Sequence, residues 1–253
     1  MSLEVGQILN QIVEKIKQFL PTLVSMCNLA CGFGAIVFII NKEIPYAAWL
    51  IIVAMVFDGL DGQIARMMKV KLDWGAHFDT LADLITFGIV PAFLIGVMDI
   101  FNLHIAIWFV CFFFTLSASI RLARFEAQKD HDTARCKYFT GLPTTLAGGT
   151  VASLVLLDTY LKDLLDLQVV SKSLPSIIFI LSILMLSKVQ YIKIIDAFKK
   201  KHDSAQMLKL IVVFSILLVS FILYPHIMLS IGFCAYVIFG NMGIFRKRTV
   251  HTS

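Results

Sequence analysis

Charge is what this sequence holds least of: only 15% of its residues are Asp, Glu, Lys or Arg, against about 25% in soluble domains. With 58% hydrophobic residues and a mean hydropathy of +0.84, a water-soluble core is excluded. Such a core could not hide this much apolar sequence, so the bilayer is the solvent for most of the chain. The five cysteines, Cys27, Cys31, Cys111, Cys136 and Cys234, are scattered through mostly apolar runs and offer neither a disulfide framework nor a zinc site. His77, His104, His131, His202, His226 and His251 show no metal-ligand spacing. No aromatic and basic stacking surface stands outside the apolar runs, which argues against nucleic acid as a partner. A basic start followed by a short apolar run and a cleavage site is also missing. Residues 1–20 instead mix apolar and charged positions at helical spacing, which predicts an amphipathic helix on the membrane surface. An ordinary helix packed on a partner would show the same pattern.

A hydrocarbon core takes about 20 apolar residues per helix. Pro, Gly and charge divide the rest into eight such stretches, near 22–41, 44–68, 75–98, 104–127, 140–161, 174–196, 207–225 and 227–245. The fold expected is therefore all-α and polytopic, and the least secure break is Tyr224-Pro225-His226. The basic residues test the count, because Lys and Arg gather in short cytoplasmic loops. With eight spans both termini share a side, and of the 22 Lys and Arg only Lys42, Lys162 and Lys172 fall on the other one. That asymmetry predicts a multi-pass protein of the cell membrane with both ends cytoplasmic. The net charge of +5 then makes the cytoplasmic face attractive to anionic headgroups and nucleotide phosphates.

Ionisable groups inside a spanning helix are costly, so each is a functional hypothesis. Asp58 and Asp61 close the second span, while Asp79 and Asp83 open the third. Spacings of three and four put each pair on one helix face, and the short basic turn between the spans makes them antiparallel neighbours. The four carboxylates are thus expected to converge near the cytoplasmic surface. Like charges in low dielectric require protons or cations. Hard oxygen ligands select Mg²⁺, Mn²⁺ or Ca²⁺, and a pair of such ions suits phosphoryl chemistry. Gly59, Gly62, Ala65 and Gly75 leave room for a flat nucleotide against bare backbone. A salt-bridge cluster would need more basic partners than Arg66, and a cation or proton pathway, as in a coupled transporter, would spread its acids along the membrane depth.

The run from Asp58 to Asp83 meets every fixed position of D-x2-D-G-x2-A-R-x8-G-x3-D-x3-D, and there the sequence resembles the CDP-alcohol phosphotransferase family. The resemblance implies that Asp58, Asp61 and Asp79 ligate metal and that Asp83 completes the site and serves as general base. It also implies that Gly62, Ala65, Arg66 and Gly75 lie near the CDP moiety. Residues 21–196 would form the family's six-helix core, following a juxtamembrane helix at 1–20 and preceding two additional helices and a basic tail at 197–253. Family members are commonly homodimers. Further stretches resemble the membrane-embedded phosphatidylserine synthase branch: Cys27-Asn28-Leu29-Ala30-Cys31-Gly32, Leu81 to Gly88 with Pro91-Ala92, Ser119 to Phe125, and Phe139 to Thr144. Cys27 stands where that branch usually has Pro. This likeness adds Asn28 to the CDP site and implies CDP-diacylglycerol and L-serine as substrates among membrane lipids.

Serine carries a carboxylate that wants a fixed cation. Arg121 and Arg124 share a helix face near the cytoplasmic side, with Lys137 and Thr140 following across a loop. A lipid phosphate, or an acceptor such as glycerol 3-phosphate or inositol phosphate, would call for the same residues, and so would mere flanking charge.

Overall fold

The computed structural model describes residues 2–68, 73–98, 104–131, 138–165, 169–187, 190–192, 220 and 223–239. Its elements in chain order are α1 (Ser2–Ile40), α2 (Ile44–Met68), α3 (Asp73–Asp83), a π-helical segment (Leu84–Ile89), α4 (Val90–Val97), α5 (His104–His131), β1 (Tyr138–Thr140), α6 (Thr144–Leu165), α7 (Val169–Leu186), β2 (Gln190–Ile192) and α8 (Pro225–Phe239). Among the described residues five stretches are long and apolar enough to cross a membrane: Phe19–Ile40, Ile44–Ile64, His77–Val97, Ile105–Ala127 and Thr144–Leu165. Lys172–Leu186 and Pro225–Phe239 are shorter apolar helices. The interior is lined by small and branched residues, among them Ala35, Ala47, Ala54, Ala118, Val151 and Ile178, which let helices approach closely where lipid offers no hydrophobic drive of its own.

Three boundaries differ from the sequence expectation. The helix expected at 1–20 continues without a break through Pro21 to Ile40, so no boundary separates it from the first span. The fifth span begins at Thr144 rather than 140, and the sixth helix stops at Leu186 rather than 196. Tyr138–Thr140 and Gln190–Ile192 pair instead as an antiparallel ribbon, Phe139 opposite Tyr191. Gly141 explains the break, because it sits at φ 81° with the Met185 carbonyl 2.5 Å from where a Cβ would be, and Pro143 disfavours helix in the residue before it. The expected seventh span falls almost wholly outside the described residues; of the eighth, expected at 227–245, the described part is the short helix Pro225–Phe239.

The turn after α1 is a Schellman closure: the Glu43 N–H donates to the Phe38 carbonyl (2.9 Å) and the Lys42 N–H to Ile39 (3.0 Å), with Lys42 left-handed at φ 63°. It sends α2 back alongside α1. The third span is interrupted by its π turn, whose end is marked by the Val90 N–H reaching Ile85 five residues back. Small residues on three neighbours make room for it. A Cβ on Gly32 would strike the Thr86 hydroxyl, one on Gly88 would lie 3.2 Å from the Ala118 Cβ, and one on Gly148 would lie 3.0 Å from the backbone of Phe87. The Thr115 hydroxyl on α5 lies between the Gly88 carbonyl, at 3.3 Å, and the Cys111 carbonyl of its own helix, at 3.2 Å. Gly148→Ala is expected to cost about 1 to 3 kcal/mol by overpacking two backbones that cannot yield. Thermal unfolding in detergent should show it, and an unchanged midpoint would mean that α6 can shift away from the π turn freely.

Candidate active site

Five helices and the π turn bring polar side chains to one end of the bundle. The pairs on α2 and α3 meet as their spacing requires: ligand oxygens of Asp58, Asp61 and Asp79 all lie within 4.8 Å of one another. Asp61 exposes the least surface to solvent, at 5%, and lies within hydrogen-bond reach of Asp79. Asp83, one helical turn beyond Asp79, touches Asp58 and closes α3 where the π turn begins. Carboxylates this close and this buried demand neutralisation. An all-oxygen donor set of this kind fits hard divalent cations.

The remaining helices hold the acids in place. From α1, Ser25 donates to Asp61 Oδ2 at 2.9 Å, and the Asn28 amide donates to Asp83 Oδ1 at 3.0 Å. The Thr86 hydroxyl in the π turn in turn donates to the Asn28 carbonyl at 3.3 Å. From α6, Thr145 hydrogen-bonds Asp58. From α5, Arg121 is buried at 9% exposure and donates through Nη1 to the Thr144 hydroxyl at 2.9 Å. Its guanidinium lies within electrostatic reach of Asp83 and Asp58, while its Nε has no hydrogen-bond partner among the described residues.

The expected nucleotide and acceptor residues divide. Gly59 faces open space, with nothing within 4 Å of a Cβ built on it, and Gly62 and Gly75 are half-buried on the acid-bearing helices. Ala65 and Arg66 continue α2, but their side chains lie outside the described residues. Arg124 separates from Arg121: it is exposed and donates to the Leu186 carbonyl at 3.2 Å. Thr140 belongs to β1 with its side chain outside the described residues, and Lys137 lies outside them altogether.

Sequence reasoning missed Ser25, Thr144 and Thr145. Their only signal is placement: Ser25 is one turn from Asn28, and the two threonines follow Pro143 at the head of a helix. It also passed over Glu126, which Thr80 bonds at 3.2 Å and His77 approaches at 3.3 Å, tying α3 to α5 beside the acids.

The CDP-alcohol phosphatidyltransferase family profile matches residues 18–239, a stretch that includes every one of these groups. The chain belongs to this family. Among relatives of this CDP-alcohol phosphatidyltransferase, the CDP-diacylglycerol–serine O-phosphatidyltransferase of Helicobacter pylori is 29% identical over 220 residues, covering 87% of this chain and 88% of its own. The archaetidylserine synthase of Methanothermobacter thermautotrophicus is 33% identical over 185 residues, 70% of this chain and 72% of its own. The Saccharomyces cerevisiae CDP-diacylglycerol–serine O-phosphatidyltransferase is 38% identical over 141 residues, about half of each chain (49% and 49%).

Proposed function

We propose that this chain transfers the phosphatidyl group of CDP-diacylglycerol to the hydroxyl of L-serine, giving phosphatidylserine and CMP. The observation that carries the reading is the convergence of Asp58, Asp61 and Asp79 beside Asp83, in a chain whose relatives over most of its length are named for serine transfer.

Asp58, Asp61, Asp79 and Asp83 would hold two divalent cations, Mg²⁺ or Mn²⁺, with Ca²⁺ able to bind the same donors. Bound there, such ions offset pyrophosphate charge and stabilise the departing phosphate. The chain's own groups do the positioning and the proton transfer. Asp83, held by the Asn28 amide, accepts the serine hydroxyl proton as that oxygen attacks the phosphorus attached to diacylglycerol and the bond to CMP breaks. Gly59, Gly62, Ala65, Arg66 and Gly75 border the cytidine nucleotide, with Asn28 beside them. Arg121 pairs with the acceptor carboxylate as a two-pronged donor; Arg124, Lys137 and Thr140 flank that entry. The acidic end of the bundle and both termini face the cytoplasm of the cell membrane, as the basic loops require, with eight spans in all, the N-terminal turns at the surface and a homodimer as the working unit.

The test is to offer tagged serine, glycerol 3-phosphate, inositol phosphate and choline to purified protein with CDP-diacylglycerol and Mn²⁺. CMP release with serine is the expected result. Release with another acceptor alone would keep the chemistry and overturn the substrate, and release with none would favour a coupled transporter. Arg121→Lys is expected to raise the apparent KM for serine roughly ten- to hundredfold, the scale of one charged hydrogen bond at about 1.5 to 3 kcal/mol, while the constant for CDP-diacylglycerol stays put. The same change at exposed Arg124 should leave both within about twofold, as surface charges usually do. If Arg121→Lys instead weakens CDP-diacylglycerol, the guanidinium grips lipid phosphate.

A further inference from the structure

The last described helix, α8, docks on α6 along a fixed antiparallel register. At its first turn the His226 ring stacks on Tyr160, with centroids 5.5 Å apart, and meets Trp49 of α2 edge-on at 5.6 Å. One turn on, Ser230 donates to the Ser153 carbonyl at 2.8 Å. A further turn on, the Phe233 ring covers Gly149, where a Cβ would lie 2.9 Å from it. As α8 advances from 226 to 230 to 233, its partner on α6 recedes from 160 to 153 to 149. One more step along that face reaches Tyr236 on α8 and the Thr144-Thr145 turn on α6. Thr145 bonds Asp58, and Thr144 accepts the hydrogen bond from Arg121. Independently of the register, Tyr236 is half-buried against the core and within electrostatic reach of Arg121.

We infer that Tyr236 is a positioning residue for Arg121, so that α8 completes the acceptor side of the active site rather than merely extending the bundle. Arg121 reaches its place from α5 as a long side chain with one bond to Thr144 and no described hydrogen-bond partner at Nε. Such a side chain needs a second wall to keep its planar fork aimed. The phenol supplies an oxygen within electrostatic reach of it, and the anchors at His226, Ser230 and Phe233 hold the helix that carries the phenol.

The inference rests on the acceptor role proposed for Arg121 and can fail separately from it. Serine and CDP-diacylglycerol titrations of Tyr236→Phe, Arg121→Lys and the double variant form a cycle. Tyr236→Phe is expected to raise the KM for serine about three- to tenfold, with kcat within twofold, and to add less than twofold in the Arg121→Lys background. Ile231→Ala, an exposed position of the same helix outside these contacts, should leave the serine KM unchanged, which separates the phenol from a general effect of altering α8. Should Arg121→Lys shift CDP-diacylglycerol instead of serine, the acceptor reading falls, but Tyr236→Phe must still shift that same constant non-additively. Multiplicative effects in the cycle, or a Tyr236→Phe enzyme with wild-type constants, would overturn the role of Tyr236 whatever Arg121 binds.

Discussion

Asp83→Asn is expected to abolish transfer, with a loss of roughly 10²- to 10⁴-fold, the range a positioned general base supplies, while binding of CDP-diacylglycerol stays within a few-fold. The amide keeps the volume of the carboxylate, and its carbonyl oxygen can still accept the hydrogen bond that Asn28 now donates to Asp83 Oδ1 at 3.0 Å. What it cannot do is take a proton from the acceptor hydroxyl. Single-turnover CMP release and an equilibrium binding measurement with the CDP-lipid separate the two effects. Turnover near wild type would remove Asp83 as the base. Loss of binding in parallel with turnover would instead make it chiefly a ligand of the cation site.

Asp61→Ala and Asp79→Ala should fail differently. Each removes one corner of the cluster whose oxygens lie within 4.8 Å, so cation and nucleotide binding should weaken together, because repulsion between the substrate phosphates and the remaining acids is no longer offset. A drop of roughly 10²- to 10³-fold in kcat is expected, the scale for losing one group that stabilises developing charge, with the Mn²⁺ dependence moved to higher concentration. Asp61→Ala also removes the link from Ser25 at 2.9 Å, leaving that hydroxyl the Pro21 carbonyl of its own helix at 3.3 Å, so it should be the more disruptive of the two to α1 packing. Chelation of the wild-type enzyme should mimic both variants, and added Mn²⁺ should restore the wild type alone. An unchanged Mn²⁺ profile in both variants would contradict the metal assignment.

The acids were legible in the sequence because their signal is chemical: four carboxylates at spacings of three and four within apolar runs must be neutralised, and too few basic residues stand near them to do it. The five spans found among the described residues were legible for the same reason of solvent, since hydropathy and length decide them. What was not legible depends on side chains that meet across helices far apart in sequence. Ser25 lies 36 residues from Asp61, and Arg121 lies 23 from Thr144; in one sequence each looks like an ordinary small polar or flanking basic residue. Arg121 and Arg124 share a helix face by spacing, yet Arg121 is buried and Arg124 exposed, because the second lies about one turn further along α5, a difference of depth that spacing alone does not show. The ribbon formed by Tyr138–Thr140 and Gln190–Ile192 was hidden because each strand is three residues long and abuts an apolar run that reads as helix.

The π turn at Leu84–Ile89 divides one membrane span into two parts with separate angular settings. In an α-helix each residue advances the side-chain direction by about 100°, so the additional residue in the wide turn offsets everything before it from everything after. Upstream, Asp79 and Asp83 are dialled toward α2; downstream, Val90, Leu94 and Ile95 are buried in the core. A regular helix of the same sequence could satisfy one half only, leaving either the acids or the apolar anchors facing the wrong neighbour. The length of this span is therefore a determinant of the site in its own right: losing a single residue between 84 and 89 would spare every ligand yet re-aim the two that α3 carries.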